Sequence, residues 1–212
     1  MEKFEINENG CLTAYHNDNK DVTEITVPDG VKSIPDYAFM EYKKINAVTL
    51  PDSLENIAYS AFWNCRLPRE TSVHSVTYRG VTFSPSFLYM KEIFEMIRDK
   101  DYSFVLSHDL KYPVILQIYF NDGDDVTTAY IKKNFRKFFT RLTDEIVFQS
   151  KCGFKSFYFE YIENVSEIME KLIKSGKFIS RRNIETYVKI ADEKECYSVF
   201  DMLNEYREEN LK

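Results

Sequence analysis

The sequence predicts an α+β chain that begins with a short solenoid of strand-and-turn repeats and continues as an all-α domain. The first observation is that segment 23–39 returns as segment 46–62, at a constant offset of 23 residues. The second is that the apolar spacing changes after residue 83 from the period of two of strands to the period of helices. We therefore expect a repeat domain over residues 1–83 and a helical domain over residues 84–212.

Composition narrows the function classes. Of the 212 residues, 44% are apolar and 16% are aromatic, which supplies ample core material. The formal net charge of −6 argues against general nucleic-acid or anionic-membrane binding, because both need a basic surface. The N-terminus lacks the order of a signal peptide, and no apolar run approaches the roughly 18 residues of a membrane span. We expect a cytoplasmic protein, with a cell-surface location only for a chain that has lost a leader.

The cysteines point to the same compartment. They lie far apart with no CxxC pair, which is unlike a zinc site or a disulfide framework. We expect four reduced and mostly buried thiols, and neither a metal nor a cofactor. The four are Cys11, Cys65, Cys152 and Cys196.

A β-hairpin is predicted ahead of the repeats. Apolar residues flank Asn9-Gly10 on both sides, and Asn-Gly favours a two-residue hairpin turn. We expect this hairpin to cover the first repeat.

Each repeat then predicts one short strand, a turn and a closing Ala-Phe pair. Ile25 and Val27 alternate with polar residues, which places both aliphatic side chains on one face of a strand. Pro28-Asp29-Gly30 ends that strand with turn chemistry, and Pro51-Asp52-Ser53 does so in the second copy. Residues 73–83 alternate again, as an incomplete third unit that ends the sheet.

The pattern V-T-x-I-x-[VL]-P-D-x-[VL]-x-x-I-x-x-[YS]-A-F resembles the leucine-rich repeats of bacterial BspA-like proteins, which also occur in a treponemal surface-antigen family. Segment 22–34 matches it closely, whereas Ser53 stands where glycine is usual. Cys65 lies where the family often has cysteine, and the first copy has Tyr42 there. The resemblance implies a leucine-rich-repeat solenoid over residues 1–83 and protein binding as its use.

Apolar spacing and capping residues predict the helices that follow. We expect helices begun or capped by Ser86, Pro113, Asp124, Asn164 and Ser180, and a last one over 199–206. The segment from Lys171 onward resembles a degenerate ankyrin-like helical hairpin, although the Thr-Pro-Leu-His signature is absent. An irregular helical bundle is the alternative.

A search for catalytic or metal chemistry returns little. His16, His74 and His108 have no partner at a recognisable motif spacing, so we expect no enzyme. The acidic run around Gly123 fails as an EF-hand, because positions one and twelve would be Ile118 and Ala129. A polar turn and helix N-cap at Asp124 and Asp125 is expected instead.

Two sets of residues are candidates for binding. Lys133, Arg136 and Lys137, with Lys132 and Arg141, form a basic face that is either simply solvated or a site for an acidic protein or nucleic acid. Tyr37 and Tyr59 are expected half-exposed and stacked across the repeats, or else serve with Trp63 as binding anchors.

The function predicted from these features is a non-enzymatic protein-binding or scaffold module with an unknown protein partner. The first alternative is a structural, self-associating protein such as a homodimer using its sheet edge. The second is an enzyme with a site at the domain junction.

Overall fold

The structure is a computed structural model that describes residues 1–62, 75–83, 90–103, 108–156 and 159–211. The chain forms two compact units, Met1–Leu106 and Ser107–Lys212. The first unit therefore extends beyond the predicted boundary at residue 83. The mixed α+β class is confirmed. Within the described ranges, no helix is long and apolar enough to cross a membrane.

The first unit contains eight described strands and one helix. They are β1 (Glu2–Ile6), β2 (Leu12–Asn17), β3 (Glu24–Thr26), β4 (Ser33–Ile34), β5 (Ala47–Leu50), β6 (Asn56–Ile57), β7 (Ser75–Tyr78), β8 (Val81–Phe83) and α1 (Met90–Asp99). β1 and β2 form an antiparallel hairpin. The remaining strands form a four-stranded sheet, in the order β3-β5-β7-β8, and a two-stranded sheet of β4 and β6.

The strand register follows the sequence repeat. β3 pairs with β5 in parallel, with Ile25 opposite Val48, and β4 pairs with β6 with Ile34 opposite Ile57. Both pairs have the repeat offset. β5 pairs with β7 with Val48 opposite Val76, so the third unit is longer than the first two. β8 then runs antiparallel to β7 and ends the sheet.

Aromatic rings connect the repeats through the core. Phe39 of the first copy stacks on Phe62 of the second, with ring centroids 5.5 Å apart and planes 14° apart. Tyr15 of the hairpin meets Phe39 edge-on at 5.5 Å. These rings are at most 5% exposed, and the aliphatic repeat positions are buried with them. Stacking equivalent residues thus builds one continuous core from short strands.

Ser53, which departs from the family pattern, joins the turns of the two repeats. Its hydroxyl accepts a hydrogen bond from the Gly30 amide at 3.0 Å and donates one to the Val31 carbonyl at 2.9 Å. Gly30 itself has φ +91°, a conformation that favours glycine. The second copy does without glycine because Ser53 uses its side chain to hold the first turn.

The hairpin covers the first repeat, although its connection is longer than the predicted two residues. Asn7 organises the connection, because its side-chain carbonyl accepts from the amides of Asn9 and Cys11. The Gly10 carbonyl then accepts from the Lys32 amide at 2.8 Å. A Cβ at Gly10 would lie 2.8 Å from the Lys32 side chain, so this close approach requires glycine.

Tyr42 secures the hairpin from the side of the first repeat. The ring is 3% exposed and lies 4.6 Å from the Tyr15 ring. Its hydroxyl accepts from the Asn17 amide at 2.6 Å and lies 3.3 Å from the Tyr15 carbonyl, to which it can donate. The tyrosine therefore replaces the cysteine of the family pattern with a residue that also binds the backbone of β2.

Helix α1 covers the opposite end of the stack. Phe94 lies 4.6 Å from the ring of Tyr78, whose hydroxyl donates to the Leu54 carbonyl at 3.1 Å. Arg98 donates to the carbonyl of Glu55, and Arg79 donates to the carbonyl of Arg98. The predicted apolar positions of this helix are buried, but in the core of the repeat unit. Its predicted cap, Ser86, lies outside the described residues.

The second unit consists of helices α2 (His108–Asp122), α3 (Asp125–Cys152), α4 (Val165–Lys174), α5 (Ile184–Glu193) and α6 (Tyr197–Asn210). The prediction that Pro113 begins a helix is wrong, since α2 starts five residues earlier. A proline this close to the N-terminus removes only one internal hydrogen bond, because the first four amides have no helical partner. The ankyrin-like arrangement of α4 to α6 stays a prediction.

Helix α3 supplies the core of this unit. Asp124 caps it as predicted, accepting from the Thr127 amide at 2.9 Å, and Gly153 ends it at φ +77°. The predicted apolar stripe is buried. Phe135 stacks on Phe178 at 4.9 Å and meets Tyr187 of α5 at 5.2 Å. The other helices therefore pack around one face of α3.

We predict that Tyr42→Phe loosens the hairpin without unfolding the stack. The Asn17 amide loses its acceptor, so its hydrogen exchange should become about tenfold faster, equivalent to roughly 1.4 kcal/mol. Tyr197→Phe is the control, since that side chain is 65% exposed. Equal exchange rates at Asn17 in the wild type and Tyr42→Phe would contradict the role of the hydroxyl.

A second prediction concerns alkaline pH. Burial raises the pKa of Tyr15 from 10.0 to about 12. Because the folded protein keeps this phenol protonated longer than the unfolded chain does, its contribution to stability is complete below pH 10 and is lost as pH rises towards 12. In Tyr15→Phe the fall in unfolding free energy over this range should be shallower, by up to about 1.4 kcal/mol per pH unit. Identical slopes in denaturant titrations of both proteins would refute this.

Candidate protein-binding surfaces

The exposed side of α3 carries five cations, which we call the cationic face: Lys132, Lys133, Arg136, Lys137 and Arg141. The first four are exposed and Arg141 is half-buried. Their position follows from helical spacing, since Ile131, Phe135 and Phe138 occupy the buried side. The packing of the aromatic side thus fixes which residues point outward.

The cationic face has no internal counter-charges for most of its members. Within the described residues, no salt bridge involves Lys132, Lys133, Arg136 or Lys137. Other exposed lysines of the chain pair with a glutamate one turn away on the same helix. The pairs are Lys91 with Glu95, Lys171 with Glu167, Lys174 with Glu170, and Lys189 with Glu193.

On α3 the residue one turn away is instead another cation. Lys132 precedes Arg136 by four residues, and Lys133 precedes Lys137 in the same way. Like charges at this spacing destabilise a helix by about 0.2–0.5 kcal/mol per pair. The face therefore retains an arrangement that costs stability and that a bound anion would relieve.

The two acids further along α3 are already engaged. Asp144 binds Lys194 in the α5–α6 turn. Glu145, only 4% exposed, accepts from the Ser156 amide at 2.8 Å and from the Gln149 side chain at 3.0 Å. Both carboxylates therefore hold neighbouring segments against α3 and are used for structure.

An open depression of about 500 Å³ lies beside the cationic face. It is lined by Tyr112, Arg136, Lys137, Thr140, Arg141 and Asp144. Tyr112 of α2 is buried, and its ring meets Phe138 edge-on at 4.7 Å, which fixes this side of the depression. Two guanidinium groups and one ammonium group suit a carboxylate or phosphate, with arginine offering two parallel donors.

Neighbouring tyrosines add no negative charge at neutral pH. Burial raises the pKa of Tyr187, and nearby Arg136 acts in the opposite direction. Burial likewise raises the pKa of Tyr130, with Lys137 and Lys133 lowering it. Both phenols stay protonated, so the positive potential of the cationic face is undiminished.

The aromatic candidates lie on the repeat unit. Tyr37 is 46% exposed and Tyr59 is 40% exposed, as predicted, while Trp63 lies outside the described residues. The repeat offset aligns Tyr37 with Ser60, and Tyr59 with Asp36, so the two tyrosines are not equivalent positions. Tyr37 has φ +60°, and its amide donates to the Ser60 carbonyl at 3.0 Å. Stacking between the two rings stays a prediction.

Histidine and cysteine provide no assembled site in the described residues. His16 is exposed and lies 3.8 Å from Glu5, while the side chains of His74 and His108 fall outside the description. Across the described ranges, no cluster of three or more His, Cys, Asp or Glu residues could hold a metal ion. The described cysteines are Cys11, Cys152 and Cys196.

Those three cysteines are unpaired, but burial was predicted correctly only for Cys196. Cys152 is exposed because it ends α3 beside the Gly153 cap. Cys11 is half-buried in the hairpin connection. Cys65 lies outside the described residues.

Sequence reasoning found the cations but missed the depression. Tyr112 and Asp144 complete its lining, and no spacing rule links Tyr112 on α2 to Arg141 on α3. One available signal was the run of cations four residues apart, which differs from the acid-base pairs of the other helices.

Comparison with known families bears on the first unit. Residues 12–104 match the family model described as BspA type leucine rich repeat region (6 copies). No curated protein and no solved structure matches the chain. The match covers β2, both repeats and α1, and it ends close to the limit of the first unit at Leu106. The predicted resemblance is confirmed for these residues, and the first unit contains leucine-rich repeats of the BspA type.

Proposed function

We propose that this protein is a non-enzymatic protein-binding or scaffold module. The repeat family suggests a protein-interaction or scaffold role for the first unit. The observation that carries the proposal is the cationic face, which remains without internal salt bridges at four of its positions in a chain with 34 acidic and 28 basic residues. An acidic chain has acids to spare for neutralising such a face, so leaving it open favours an external partner.

In this proposal the two units have different tasks. The parallel strands β3, β5 and β7 are only three or four residues long, which makes the repeat sheet a small surface for specific binding. We therefore assign the repeats, as a short capped solenoid, to a structural platform. The helical unit supplies the surface that recognises the partner.

We also propose that the module works in the cytoplasm. Three described cysteines are unpaired, and one of them, Cys152, is exposed, as suits a reducing compartment.

The test is affinity capture with the full chain as bait in an extract of its source cells, followed by quantitative mass spectrometry. We expect at least one protein to be recovered in near-stoichiometric amount, and to elute as the salt concentration rises, because salt screens charge contacts. Bait blocked with soluble untagged chain is the control. Recovery of no macromolecule, together with tight binding of a small metabolite, would overturn the proposal.

A further inference from the structure

We propose that the cationic face of α3 binds an acidic peptide segment of the partner, with one of its carboxylates held in the depression between Arg136 and Arg141. This inference rests on the proposed function and specifies the chemistry of the partner. It draws on the geometry of the face, the position of Asp144 and the burial of the neighbouring aromatic rings.

The spacing of the cations suits a short run of acidic side chains. Lys133, Lys137 and Arg141 follow one another at intervals of one helical turn, so they span about 12 Å along the helix axis. A segment with three acidic side chains about 6 Å apart places one carboxylate opposite each cation. Each contact would replace repulsion between neighbouring cations with attraction.

The depression is the part of the surface best suited to bind one carboxylate firmly. Arg136, Lys137 and Arg141 surround it, and Tyr112 forms a rigid apolar side. Arginine can give a carboxylate two parallel hydrogen bonds, which fixes its orientation as well as its position. The remaining cations, at the rim, would contribute mainly to the rate of association.

Asp144 favours a peptide over a continuous polyanion. It lines the same depression, next to Arg141 and bound to Lys194, and therefore presents negative charge at one end of the site. A nucleic acid carries a phosphate at every step and would place one near this carboxylate. A peptide can place a neutral or basic residue there, so the partner sequence should carry acids followed by such a residue.

The aromatic environment points the same way. Single-stranded nucleic acids gain much of their affinity from bases stacked on exposed rings. Tyr112 and Tyr187 beside the cationic face are each 6% exposed, so their faces are occupied by the core. The net charge of −6 would further repel a long polyanion from the rest of the protein.

The experiment measures binding of fluorescent probes to the full chain by anisotropy, at low and at physiological salt. The probes are a glutamate-rich peptide of about 20 residues, a single-stranded oligonucleotide and a DNA duplex. We expect the peptide to bind most tightly, and Lys133→Glu/Lys137→Glu to weaken its binding at least tenfold. Lys133→Gln/Lys137→Gln repeats the measurement with a milder change, should the first variant fail to fold.

A matched control has the same change in net charge. In Lys171→Glu/Lys174→Glu the altered lysines lie on α4 and pair with glutamates in the wild type, so peptide affinity should stay within twofold. Arg136→Lys keeps the charge and removes the paired donors, and should weaken binding several-fold. Equal losses in the two charge-reversal variants would reduce the effect to net charge and overturn the proposal.

Two other results would also overturn it: no peptide binding at low salt, or tighter binding of either nucleic acid than of the peptide. Repeating the affinity capture with Lys133→Glu/Lys137→Glu as bait separates this inference from the proposed function. If the partner is recovered unchanged, the protein-binding module stands and the cationic face is not its site.

Discussion

The repeat unit depends on closure of both ends of a very short stack. Parallel strands leave backbone groups and apolar side chains open at each end, and a stack of so few repeats has little interior. Here each end is closed through a buried tyrosine hydroxyl. Tyr42 binds the backbone of the hairpin, and Tyr78 binds the Leu54 carbonyl while its ring meets Phe94 of α1. The caps thus share the hydrogen bonds and the core of the repeats they cover.

The helical unit follows a different economy, in which one helix has a stabilising side and a costly side. Burying a phenylalanine contributes about 1.5–3 kcal/mol, and α3 buries three, Phe135, Phe138 and Phe139. Each pair of neighbouring cations costs only about 0.2–0.5 kcal/mol. The aromatic side can therefore hold α3 in place while its outer side keeps charges that a solitary helix would avoid.

The sequence contained enough to predict the parts of the fold that depend on local rules. The repeat offset predicted the register of β3 with β5 and of β4 with β6, and side-chain chemistry predicted the caps at Asp124 and Asn164. Other features depend on which surfaces meet. Apolar spacing showed that residues 90–97 form an amphipathic helix, but spacing does not say which core receives it.

The same limit explains the remaining differences. Pro113 signals a helix start, yet α2 extends earlier because a proline near the N-terminus costs little. At the candidate site, the cations were readable from helical spacing along α3. The depression was not, because Tyr112 reaches it from another helix and Asp144 by its pairing with Lys194.

The position of α1 limits how this chain can lengthen during evolution. A duplicated copy inserted after Phe83 would separate Phe94 from Tyr78 and leave the end of the stack open. A duplication of 23 residues between the first and second copies would instead preserve the pairing on both sides, since β3 and β5 already have that offset. New repeats can therefore be gained at the middle of the stack, with both ends inherited unchanged.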